Sequence, residues 1–277
     1  MSSPTSRKRW QPSPLIGASA LVHAGAVVGT LARPQLWPWM LGTVVANHLV
    51  LTAAGLWPRS KLLGPNWTSL PTAVAAKGAV AITIDDGPDP QITPPVLDLL
   101  DARAAKATFF CIGERVERYA ELAREIVRRG HAIENHSQHH LNRFSVLGPR
   151  GIAKELERAQ DGIGTVTGQR PRFFRAPAGL RNPFLDPVLS RLDLRLASWT
   201  RRGFDTLDRD SSVVLGTLTR GLAGGDILLL HDGHAGHARS GAPLILEVLP
   251  CLLDSLAASK LTPVTLRSAL ASVSDLP

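Results

Sequence analysis

From Ala79 to the C-terminus, short apolar runs alternate with stretches of helical periodicity, and no other feature of the chain constrains its fold as tightly. The strand candidates are Ala79 to Ile84, Ala107 to Ile112, His131 to Glu134, Arg172 to Arg175, Leu194 to Trp199, Ile227 to Leu230 and Thr262 to Leu266. Helices are predicted between them over Pro94 to Ala105, Ala120 to Arg129, Ala153 to Gly162, Pro187 to Leu192, Val213 to Leu222 and Leu244 to Ser259. Strands separated by helical crossovers pair in parallel, so the expected fold class is α/β, a distorted (β/α) barrel of about seven parallel strands. A chain of 277 residues, 44% hydrophobic, suits one such domain plus an extension.

That extension is N-terminal and of a different kind. After Arg7-Lys8-Arg9, the stretch from Trp10 to Ala32 carries no Asp, Glu, Lys or Arg. Pro34 to Pro58 repeats the pattern, with Trp37, Trp39 and Trp57 near its ends. About twenty apolar residues cross a bilayer core as a helix, and tryptophan favours the interface, so each stretch is a candidate membrane helix. Joined by Arg33-Pro34-Gln35, the two predict a hydrophobic helical hairpin. His23, Asn47 and His48 would then need polar partners inside it. The rival reading is a signal peptide, against which the second hydrophobic stretch argues. The predicted organisation is a membrane-anchoring hairpin over 1–58, a linker over 59–77 and a catalytic domain over 78–277.

Charge narrows the partners. The net charge is +8 and the pI about 10.3, yet the basic residues are scattered over membrane flanks and helices such as Arg115 to Arg129, without a nucleic-acid-binding motif or interleaved aromatics. Nucleic acid is therefore excluded as a partner. Membrane lipid headgroups or a phosphate-linked substrate make better use of the surplus. No protein partner is legible. Cys111 and Cys251 have neither metal-ligand nor disulfide spacing and are expected to be buried thiols.

The chemistry lies in Thr83-Ile84-Asp85-Asp86-Gly87 and His136-Ser137-Gln138-His139-His140, each at the end of a strand candidate. One carboxylate and two imidazoles suffice to hold a catalytic divalent metal with open positions, and a second carboxylate can deprotonate an attacking water. Histidines four apart share one face if a helical turn begins there, so His136 and His140 could meet one ion, with Asp86 as third ligand. Neighbours in an extended segment face opposite ways, so Asp85 and Asp86 are expected to divide the roles of base and ligand. Each motif alone has a plain alternative, a solvated Asp-Gly-Pro turn or a polar helix face. His231 closes the apolar run from Ile227 to Leu230. With a carboxylate such as Asp205 nearby, it could hold a proton near neutral pH and pass it to a leaving amine. His234 and His237 could serve as extra ligands or substrate contacts but are read first as solvated loop residues, and His131 and His139 receive no role.

These segments, with Phe174-Arg175-Ala176-Pro177 and Gly225 to Asp232, resemble four of the five motifs of the polysaccharide deacetylase family, in the family's order from about Ala79 to Arg267. The resemblance implies a metal-dependent hydrolase of carbon–nitrogen bonds other than peptides, a deacetylase of N-acylated sugars. By motif position it implies Asp85 as general base, Asp86, His136 and His140 as metal ligands, and His231 as general acid. It further implies that Arg175 holds the base, Asp205 tunes the acid, Leu229 lines the acetyl pocket, and Pro177 and Trp199 contact substrate. Zinc is the expected ion, with cobalt, nickel or manganese as alternatives. Two departures bear on the sugar site. Ala178 stands where the third motif has an aromatic residue, and Arg202 and Thr206 replace the first aspartate and second tryptophan of the fourth.

Together these readings predict a membrane-anchored N-deacylase acting on a polysaccharide, oligosaccharide or lipid-linked glycan. A carbohydrate O-acetyl esterase and a non-catalytic glycan-binding membrane protein are the alternatives. The expected location is a bacterial cytoplasmic membrane. Basic residues flank the outer ends of the two candidate spans, so the positive-inside rule puts the catalytic domain in the cytoplasm, whereas the family's members act mostly outside it.

Overall fold

The computed structural model describes residues 10–274. Two long helices come first, α1 (Pro14–Ala32) and α2 (Trp37–Leu56), linked through a 3-10 turn at Pro34–Leu36 and packed as an antiparallel hairpin. Their mean hydropathies are 1.8 and 1.4, and most of their surface is exposed. The internal polar groups find one another. Asn47 Nδ2 donates to Ser19 Oγ at 2.8 Å, and the Nε2 atoms of His23 and His48 lie 3.2 Å apart. Of the residues on which the topology expectation rests, Arg59 and Lys61 follow α2, and Arg7, Lys8 and Arg9 fall outside the described residues.

The remaining order is α3 (Thr72–Ala75), β1 (Ala79–Asp85), α4 (Thr93–Asp101), β2 (Ala107–Cys111), α5 (Gly113–Arg118), α6 (Ala120–Arg128), β3 (Ala132–Asn135), α7 (Pro149–Thr167), β4 (Phe173–Phe174), α8 (Leu185–Arg191), β5 (Arg195–Leu196), β6 (Arg201–Arg202), α9 (Ser211–Thr219), β7 (Ile227–His231), α10 (Leu244–Ala258), β8 (Thr262–Pro263) and α11 (Leu266–Ser274). Seven strands pair in parallel in the order β5-β4-β3-β2-β1-β7-β6, and β8 joins the start of β1. The sheet curls into a half-barrel, as the alternation predicts. Among the described residues no pairing joins β5 to β6, so it remains open there. Two-residue β6 carries no apolar run and was invisible to periodicity.

Strands β1, β2, β3, β4 and β7 are buried on both faces, the expected state of a parallel sheet covered by helices. Side chains alternate along them. In β1, Val80, Ile82 and Ile84 join the outer core with Leu228 and Leu230 of β7 and the apolar faces of α4 and α10. Ala79 and Ala81 join Phe110, Ile227 and Leu229 in the inner core. Continuing that inner register places Thr83 and Asp85, and on β7 His231, inside the barrel at its carboxyl end. Full burial of an apolar side chain contributes roughly 1.5–3 kcal/mol, so these two cores hold the strand ends in register. The thiol expectation holds for Cys111 only. Cys251, on α10, is exposed.

Candidate active site

Register alone sets two of the functional groups side by side, because Asp85 of β1 pairs with His231 of β7. Asp85 Oδ1 accepts from Arg175 Nη1 at 2.6 Å, and both side chains are almost fully buried. The guanidinium is satisfied throughout. It donates also to Thr83 Oγ1 at 2.8 Å, the Ala197 carbonyl at 3.2 Å and the Ser198 carbonyl at 2.7 Å, and it stacks 4.1 Å over the Phe110 ring. A charge this deeply buried needs such a set of acceptors. Thr83 was the part the sequence did not flag, though its place two residues before Asp85 in a strand is the signal that it shares the inner face.

His136 and His140 do converge, but not on a helical turn. Residues after β3 form a loop in which Ser137 and His140 have φ of 64° and 50°. Asn135 accepts from the Ser137 backbone N–H at 2.9 Å, and Ser137 Oγ accepts from that of His140 at 3.1 Å, so side chains replace the helix hydrogen bonds. His139, which had no assigned role, fastens this loop to α7 through Glu155 at 2.8 Å. The opposite facing expected of Asp85 and Asp86 is also altered. Asp86 lies beyond the strand end with φ of 74°, which turns its carboxylate back toward the same cavity.

Asp86 Oδ1 is buried and makes no hydrogen bond, yet it sits 3.2 Å from Nε2 of both His136 and His140. The three donor atoms lie within 4.8 Å of one another. His136 Nδ1 is 2.8 Å from the Arg175 carbonyl, an acceptor that takes the proton there and leaves Nε2 free for coordination. One orphaned oxygen and two imidazole nitrogens with an anchored ring fit a divalent cation of the zinc type. Although burial would raise the Asp86 pKa, the adjacent His136 and His234 side chains and the charges of His136 and His140 hold it well below the usual carboxylate range. Burial together with the neighbouring His136 pushes His140 down to about 4. These two shifts leave Asp86 and His140 in the states that could bind metal, whereas the His136 pKa, despite burial, is raised chiefly by the Asp85 charge.

Across the cavity, His231 Nδ1 lies 2.8 Å from Asp205 Oδ1, while the other oxygen accepts the His231 backbone N–H at 2.7 Å. Burial disfavours the imidazolium, but the Asp205 hydrogen bond and the charges of Asp205, Asp85 and Asp86 outweigh it, so His231 keeps its proton above the ordinary range. Leu229, Trp199, Ala178, Gly179, Arg202 and Thr206 complete the lining of a cavity of about 160 Å³. Pro177, expected to contact substrate, is buried and is not among the lining residues.

An open parallel α/β barrel with an Asp-His-His cluster at its strand ends defines the architectural class. The chain belongs to the polysaccharide deacetylase family, whose profile matches residues 73–197. A peptidoglycan-N-acetylglucosamine deacetylase of Bacillus cereus is 34% identical over 176 residues, 62% of this chain and 80% of that protein. Another deacetylase of that name from the same organism is 30% identical over 182 residues, and the match spans 64% of each chain, less than two thirds of that relative's length. Among solved structures, the Bc1960 peptidoglycan N-acetylglucosamine deacetylase superposes with a TM-score of 0.67 at 25% identity, over 74% of this chain and 92% of that one.

Proposed function

We propose that the protein is a membrane-anchored, metal-dependent N-deacylase of carbohydrates. The observation that carries this reading is the orphaned Asp86 oxygen facing the two imidazole nitrogens, with an Asp–Arg pair and a His–Asp pair opening on the same cavity. The assigned organisation is a hairpin anchor over 1–58, a connecting segment over 59–77 and the catalytic domain over 78–277.

A divalent ion, zinc by preference, held by Asp86, His136 and His140 would polarise the acyl carbonyl and lower the pKa of an attacking water. Asp85 takes the proton of that water, and Arg175 fixes the carboxylate so that its second oxygen faces the cavity. His231 gives its proton to the departing sugar amine, with Asp205 holding the ring by Nδ1 so that Nε2 carries the proton delivered. Leu229 offers an apolar wall to the acyl group, and Trp199 a flat face to the sugar. Mutual orientation of these groups needs no rearrangement, because the base and the acid belong to paired positions of adjacent strands.

The test is incubation of the purified, metal-loaded chain with N-acetylated and O-acetylated glycans. Free amine with matching acetate supports N-deacylation. Alcohol as the product would make it an O-acetyl esterase, and no release from any glycan would leave a glycan-binding role.

A further inference from the structure

The hairpin is docked on the rim of the catalytic cavity. The Pro58 carbonyl accepts from Ser198 Oγ at 2.7 Å and Asn66 Nδ2 at 3.0 Å, and Arg59 Nη1 donates to the Thr200 carbonyl at 3.0 Å. A β-carbon at Gly179 would lie 2.7 Å from both Pro58 and Trp199, so the glycine is wedged between the hairpin's end and a cavity wall. Leu56 and Trp57, at the end of α2, are exposed. A bilayer surface meeting the hairpin at that tryptophan would lie one layer of side chains from the cavity.

On the same rim stands a cation without an anion. Alternation along β6 sends Arg201 outward to Asp226 at 2.5 Å and Arg202 inward to the cavity. Among the described residues neither Arg202 nor Arg59 has a carboxylate partner, and the buried Nε of Arg202 makes no hydrogen bond. The Trp199 and Phe204 rings hold the guanidinium at 5.5 and 5.1 Å, which fixes its position without neutralising it. A neutral polymer in the cavity would leave that donor unpaired. A phosphate would accept from it in the planar, two-pronged geometry guanidinium groups favour. The chemistry of the sugar points the same way. In a 2-acylamino sugar 1-phosphate the amide and the phosphate sit on adjacent ring carbons, so a phosphate must lie at the rim when the amide is in the cavity. Phe204, stacked on Arg202, and Leu207, five residues past it in the chain, are exposed apolar groups.

We propose that Arg202, assisted by Arg59, binds the phosphate of a lipid-linked N-acyl amino sugar taken directly from the membrane surface. The inference rests on the anchored-deacylase reading and names the substrate class of that same cavity. Its test uses the full chain in liposomes with three probes: a polyprenyl-diphosphate N-acetylglucosamine, N-acetylglucosamine 1-phosphate and a neutral N-acetylglucosamine oligomer. The wild type should favour the lipid diphosphate over the neutral oligomer by at least tenfold in kcat/KM. R202D, which restores an acidic residue at this position, and R202Q should each erase most of that preference, chiefly through KM. Binding of the metal-free protein to vesicles carrying the lipid diphosphate should weaken in parallel. An unchanged preference in both variants, or a neutral oligomer handled as well as the lipid, would overturn the proposal while leaving the deacylase reading intact. Equal turnover of the water-soluble sugar phosphate would remove the membrane as the source. Failure to deacylate any probe would instead strike the deacylase reading, and this inference with it.

Discussion

Replacing Asp85 by Asn separates the proposed base from the proposed metal ligands, and the geometry sets what each part of the change should do. The amide is isosteric and can still accept from Arg175 Nη1, now 2.6 Å from the carboxylate, while Thr83, Ala197 and Ser198 continue to hold the other donors. Removing one charge from a buried pair costs about 3–5 kcal/mol when nothing replaces it. Because four acceptors remain, Asp85→Asn should fall at or below the lower end of that range and stay folded. Activity is a different matter. A positioned general base is worth roughly 10²–10⁴ in rate, or about 3–5 kcal/mol of transition-state stabilisation. Metal should survive, since Asp85 Oδ2 lies 3.9 Å from His136 Nε2 whereas Asp86 Oδ1 lies 3.2 Å from both imidazoles. The assay is elemental analysis of purified Asp85→Asn and Asp86→Ala proteins beside amine release and thermal melting. Asp85→Asn is expected to be metal-replete, folded and slower by at least a hundredfold, and Asp86→Ala metal-poor. A folded Asp85→Asn protein that lost its metal, or one within tenfold of wild-type turnover, would refute the division of roles between the two aspartates.

Other outcomes follow from the same geometry. His231→Ala should keep its metal and lose turnover by roughly 10²–10⁴, and acceptance of normal turnover would remove the acid from the mechanism. Because the His231 pKa is raised, its protonated form contributes stability below the ordinary histidine pKa, and that contribution is lost as pH rises through the raised value. The pH–rate profile should accordingly fall on its alkaline side, and Asp205→Asn should move that limb to lower pH; a limb that stays in place would sink the assignment. Gly55→Ala should loosen the hairpin from the catalytic domain, since a β-carbon there would lie 2.2 Å from the Arg181 carbonyl. Overpacking of this kind costs about 1–3 kcal/mol, and faster proteolysis between residues 56 and 66 would report it. A reporter that works only in the cytoplasm should be active when fused after Pro277, as the positive-inside rule predicts. Activity of an export-dependent reporter instead would place the catalytic domain outside the cytoplasm.

The sequence by itself determined the class of the fold and the identity of the chemical groups. Alternating strand and helix periods imply a parallel sheet, and a metal site needs residue types that composition cannot disguise, here two adjacent aspartates and a spaced histidine pair. Both signals are local, carried by neighbours within a single element or turn. What only tertiary structure decided is how those groups meet. The turn of helix expected at His136 is a loop held by Asn135 and Ser137, and Asp86 reaches the histidines through a backbone turn that strand alternation alone would not give. Thr83, Ser198 and the carbonyl of Ala197 support Arg175 from segments far apart in the chain, and Pro58 touches the cavity wall from the end of a hairpin read as a separate anchor. Contacts between distant segments leave no period in the sequence, because each is set by the packing of whole elements rather than by the spacing of neighbouring residues.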